Sequence, residues 1–199
     1  VRWAPSALVL CFEGFFMKYL DLLTLTAKEF LDNCDYNEYL TKTKLLKLTY
    51  LVEYFYYKKE QVRLTDVEWV FLYYGPYIYD YEKFLEKCPF SIEFYDQESS
   101  DFKIIIRDEA YIEKEHITDF EIKMLIKRII GEYGRKDLNE ILDFIYFDTE
   151  PMLYVSSKHS ILDFLTVMPE EKPLKILGKN EINTILDKYK EKLKNVRAI

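Results

Sequence analysis

Two histidines, three cysteines and a few closely spaced carboxylates are the residues of this chain with the means to do chemistry. A structural zinc site needs four N or S donors at short spacing, and neither His116 nor His159 sits in such a ladder. Cys11, Cys34 and Cys88 are odd in number and show no CxxC spacing, which fits reduced thiols in a cytoplasm. Asp143 with Asp148, or Glu170 with Glu171, have the charge to hold a cation or share a proton, but solvated helix faces and loops account for them more simply. No glycine-rich phosphate loop, GxSxG elbow, HExxH pair or EF-hand pattern occurs. The expectation is a protein that is not an enzyme, with no catalytic residue, cofactor or metal. One basic group stands out. Lys42, Lys44 and Lys47 approach a helix start, where the macrodipole disfavours cations, so either a solvated end or an acidic partner is implied.

The elements that must position these residues are those of a folded chain with a full core. Of 199 residues, 49% are hydrophobic and 32% charged, with five Gly and six Pro, which excludes low-complexity and disordered classes. Aromatics reach 17%, led by 18 Tyr, a residue suited both to thick helical cores and to surfaces that become dry in a complex. The net charge of −7 argues against nonspecific nucleic-acid binding, which draws its affinity from neutralised phosphates. No run approaches the roughly 20 apolar residues of a membrane span. Arg2 and the apolar run 7–16 imitate a signal peptide, but Glu13 and Gly14 interrupt it and no small-x-small site follows. Residues 1–16 are therefore set apart as an extension, and a single cytoplasmic domain is expected over 17–199.

Helix starts are marked by four capping-box patterns: Thr26 with Glu29, Thr65 with Glu68, Thr118 with Glu121, and Asp137 with Glu140. Thr43 to Lys59 is apolar around most of its circumference, the mark of a central helix surrounded by others. A helix from Thr65 should break at Gly75-Pro76 and resume from about Tyr77 to Lys87. Ser91 to Asp96 and Phe102 to Arg107 read as a β-hairpin, about 91–107. Helices then follow at Asp119 to Tyr133, Leu138 to Phe147 (stopped by Pro151), Ser160 to Thr166, and about Glu181 to Val196, the last with an apolar stripe. The fold class is mainly α: one compact helical domain around a central buried helix, with one small β-hairpin.

Lys44, Leu45, Lys47, Leu48 and Tyr50, then Trp69, Gly75, Pro76 and Tyr79, then Thr149, Glu150 and Pro151 resemble, in order and character, the Panacea domain of the SocA-like antitoxin family. The resemblance spans about Tyr39 to Val167, and departs from the usual pattern at Tyr77 and in the aromatic approach 70–74. It implies an antitoxin that neutralises a separately encoded toxin, the product of a neighbouring gene, by direct contact. Some relatives also deliver a toxin to an ATP-dependent protease. Under that reading Trp69, Tyr73, Tyr74, Gly75, Pro76, Tyr77, Tyr79 and Tyr81 are the candidate partner-binding residues, since aromatics at a rigid turn lose little entropy on binding. Tyr77, Tyr79 and Tyr81 cannot all face inward on one helix, so at least one is expected in solvent. The competing reading is a DNA-binding regulator of a phage or toxin-antitoxin operon, with Lys123, Lys127 and Arg128 as its basic face; the acidic balance opposes it. Self-association stays open.

Overall fold

The computed structural model describes residues 17–33, 40–94, 102–106 and 119–170. The chain divides into two units, Val1–Pro169 and Glu170–Ile199, and the helices and strands named below all lie in the first. The expected helix at about 181–196, the run at 1–16, His116, Cys11 and Cys34 lie outside the described residues.

The centre is helix α2, Lys42–Glu60. Thr41 caps it by accepting from the Lys44 N–H at 3.1 Å, and Gln61, left-handed at φ 58°, closes its other end by returning its N–H to the Tyr57 carbonyl. Every residue from Lys44 to Tyr54 is buried, as the all-round apolar pattern required. Among the described residues three helices pack around it: α1 (Tyr19–Asn33), α4 (Phe120–Tyr133) and α5 (Leu138–Asp148). Buried Leu, Ile and aromatic side chains of these helices form the core, each contributing about 1.5–3 kcal/mol by leaving water.

A buried charge fixes the chain as it leaves α2. The Glu53 carboxylate, fully buried, accepts from Arg63 Nε at 2.6 Å, the Leu64 and Thr65 N–H groups at 3.0 and 3.2 Å, and the Thr65 hydroxyl at 2.6 Å. Four donors replace the water lost, which is what makes a buried carboxylate tolerable. Thr65 is thereby spent, and no helix starts there. Instead β1 (Val70–Leu72) and β2 (Gly75–Tyr77) form a tight antiparallel hairpin, pairing Val70 with Tyr77 and Leu72 with Gly75. The segment after α5 adds to the free edge of β1: the His159 N–H donates to the Phe71 carbonyl, Phe71 N–H to Ser160, and Leu162 N–H to Trp69. The expected helix from Ser160 is therefore a bridge at Ile161 followed by a single 3-10 turn, Phe164–Thr166.

The other helix signals fared unevenly. Thr26 lies inside α1, where its hydroxyl bonds back to the Leu22 carbonyl at 2.7 Å, so it caps nothing. The cap of α4 is Asp119, accepting from Glu121 and Ile122 N–H, one residue after the expected Thr118. Asp137 and Glu140 form the full reciprocal box at the start of α5. Helix α3 is short, Tyr81–Lys87, leaving Tyr77 in a strand. The second hairpin is present as β3 (Phe90–Phe94) and β4 (Phe102–Ile106), with Phe90 opposite Ile106 and Ile92 opposite Ile104. Pro151 does not stop α5; the break falls at Thr149, and Pro151 opens the short α6 (Glu150–Leu153), where a missing N–H costs little. Among the described residues no helix is long and apolar enough to cross a membrane, and no cluster of His, Cys, Asp and Glu could hold a metal.

Candidate functional site

Two consecutive tyrosines, Tyr73 and Tyr74, form the turn of the β1–β2 hairpin, each 70% exposed. Turns of this length favour Gly, Asn and Asp, because such residues meet the backbone geometry and lose nothing in water. Two large apolar rings held in solvent break that rule, and broken local rules concentrate at functional sites. Gly75 follows at φ 80°, a left-handed conformation that a side chain would strain. Its neighbours across the gap are Leu142, Ile145 and Tyr146 of α5, and the Tyr146 hydroxyl donates to the Tyr73 carbonyl at 3.4 Å. The tip is thus exposed but braced from behind.

Beneath the hairpin runs a pocket of about 210 Å³, walled by the first turns of α2, both strands and the start of α3. Its floor includes Lys47, which is 2% exposed and donates from Nζ to the Pro76 carbonyl at 2.6 Å. Burial pulls its ammonium down to about 7. Lys42 and Glu82 face each other across the rim at 2.8 Å, and the Tyr81 hydroxyl, donating to the Lys42 carbonyl at 2.8 Å, ties α3 to the α2 start. Lys44 points away, into the face of Phe30, 5.1 Å from the ring centre.

The remaining candidates separate by burial. Trp69 is in the core, edge-on to Tyr50 at 5.2 Å and Tyr19 at 6.0 Å, and Tyr81 is buried, so neither ring is available as a contact anchor. Gly75 and Pro76 are buried and act through backbone. Tyr77 is half-buried, lines the pocket and meets Tyr81 edge-on at 6.3 Å. Tyr79 is exposed, its hydroxyl 3.5 Å from His159 Nδ1. Sequence reasoning missed two neighbours that the 159–162 segment delivers: Lys158, whose Nζ sits 4.0 Å over the Tyr73 ring, and His159, itself left-handed at φ 68°. Positive φ on a histidine leaves no trace in sequence; the lysines at the helix start, lacking any acid in the first turn, did.

Other described residues with the means to do chemistry stand apart from this pocket. Cys88 is a buried free thiol that burial pushes up to about 12, hence inert at neutral pH. Asp143 and Asp148 lie exposed on α5. Lys123, Lys127 and Arg128 share the exposed face of α4 with Glu121, which is paired to Lys59. Thr149 and Glu150 hold the fold: the Tyr50 hydroxyl is 3.2 Å from Thr149 Oγ1, and Tyr54 donates to Glu150 at 2.6 Å while accepting from Lys58 at 3.1 Å. Partial burial works against the Glu150 charge, but the Tyr54 hydroxyl and Lys58 outweigh it and hold the carboxyl below its usual value. The residues quoted for the resemblance therefore gather around α2, joining hairpin and 149–151 turn to it.

A family model described as antitoxin SocA-like, Panacea domain, matches residues 45–150, just over half of the 199-residue chain. No curated protein and no solved structure matches the chain.

Proposed function

Because the chain belongs to the antitoxin SocA-like, Panacea-domain family, we propose that it neutralises a separately encoded toxin by direct contact through the tip of the β1–β2 hairpin. The observation that carries this is the pair Tyr73 and Tyr74, each 70% exposed on a braced turn. Tyr offers large contact area for two rotatable bonds, and a turn already fixed by Gly75 has little backbone entropy left to lose. Tyr79, Lys158 and His159 extend the same surface. The protein acts by binding rather than by catalysis, and delivery of the toxin to a protease would be a later use of the same contact.

The test is co-expression of the chain with the product of its neighbouring gene. The wild type should co-purify with that product and restore growth. The double variant Tyr73→Ala, Tyr74→Ala should lose both, with binding weaker by about 2 kcal/mol or more per anchor residue and an unchanged thermal midpoint. Full rescue by the double variant would move the contact elsewhere.

A further inference from the structure

Among the lysines at the start of α2, Lys47 has a place that the hairpin tip does not account for. Lys47 is buried, and an ammonium has three N–H donors. Its one described hydrogen bond goes to the Pro76 carbonyl at 2.6 Å, and no carboxylate among the described residues forms an ion pair with it. A buried charge without a counter-charge is costly and is normally paired. It also faces a space: Lys47 lines the pocket together with Leu46, Leu72, Gly75, Tyr77 and Tyr81. At about 210 Å³ this is smaller than the 300–1,000 Å³ typical of drug-sized ligand sites, and suits one side chain. The first turn of the 19-residue α2 also lines it through Lys42 and Thr43, bringing the positive end of the helix dipole to the same place with no acid in that turn. In a chain of net charge −7, the lining of this pocket holds two lysines, Lys42 and Lys47, and one acid, Glu82.

We propose that the pocket between the α2 start and the β1–β2 hairpin receives an Asp or Glu carboxylate of the partner, which pairs with the Lys47 ammonium. This rests on the antitoxin reading and names the chemistry of its contact: tyrosines grip outside while one acidic side chain enters behind them. A phosphate would seek a fork of donors, and the lining holds no arginine. The titratable groups that line the pocket with Lys47 are Lys42 on its own helix, Tyr73, Tyr74 and Tyr77 on the hairpin, and Tyr81 and Glu82 on α3, while Lys44 is turned toward Phe30. Of these the one acid, Glu82, is engaged with Lys42.

The experiment uses the full chain with the neighbouring-gene toxin and measures Kd for wild type, Lys47→Met, which keeps the volume, and Thr43→Phe, which narrows the mouth and keeps the amine. Lys47→Met should weaken binding by about 30-fold or more, the low end for breaking a buried pair. One toxin Asp→Asn or Glu→Gln change should produce the same loss and add nothing to Lys47→Met. Wild-type affinity should fall as pH rises through about 7, where free Lys47 loses its proton, and Lys47→Met should lose that part of the slope. Wild-type affinity in both variants would overturn the pocket while leaving toxin binding intact. If wild type does not bind the toxin, the antitoxin pairing itself fails, and propionate titration followed by amide NMR decides the pocket. Shifts at Leu72 and Gly75 that vanish in Lys47→Met would support it, and silence would overturn it.

Discussion

Glu53 shows how one side chain governs the path the chain takes out of its central helix. By taking four donors from Arg63, Leu64 and Thr65, it forces the connection after α2 to run close against the helix and delivers the chain to the hairpin. Glu53→Ala should therefore cost about 3 kcal/mol or more, because it strands two buried N–H groups and half of an ion pair. The drop in urea midpoint measures it. Glu53→Gln, which keeps two acceptor positions, should cost less. A change near that of a surface residue would show that water enters to satisfy Leu64 and Thr65. Nothing in the sequence announces this residue: a Glu inside an apolar helix looks like a patterning error until its partners, 10 to 12 residues on, fold back onto it.

At the scale of elements the hairpin is the deciding one. Gly75→Ala should destabilise by about 1–2 kcal/mol, the cost of a left-handed non-glycine residue. An added Cβ would meet Leu142 and Tyr146 at an ordinary 3.7 Å, so the loss is conformational rather than a clash. Thermal unfolding of this variant, beside its affinity for the proposed toxin, checks both: the affinity should fall further than stability explains, because the turn that presents Tyr73 and Tyr74 is loosened. The second hairpin, α2, α4 and α5 were legible because periodicity, β-branched runs and Asp137 with Glu140 agreed. The stretch 65–77 was not. Thr65 and Glu68 copy a capping box, yet the threonine is claimed by Glu53 from another element. The short run Val70-Phe71-Leu72 has no period long enough to separate helix from strand. Of the eight candidate contact residues, the sequence could not say that Trp69 and Tyr81 turn inward, since that depends on the hairpin.

For the molecule as a whole, buried titratable groups set a pH profile. Lys47 holds its proton only below about 7 when folded, against an ordinary value of 10.5, so between these the unfolded chain binds more protons and stability rises with pH. Burial shifts Tyr19, Tyr50 and Tyr54 the other way, upward from 10.0, so above that pH the unfolded chain ionises first and stability falls. Urea midpoints across pH should rise from neutral toward about 10 and then decline, and Lys47→Met should remove the rise while keeping the decline. A flat profile between 7 and 10 would mean that Lys47 stays charged in the fold. The bond between Tyr50 and Thr149 spans 99 residues, and Phe164 lies edge-on to Tyr50 beyond it. At about 5–20 residues per second of synthesis, the central helix leaves the ribosome roughly 5–20 s before the partners that close over it. If the protein acts as proposed, protection by each new copy lags its own translation, and a cell relying on it survives on the copies already finished.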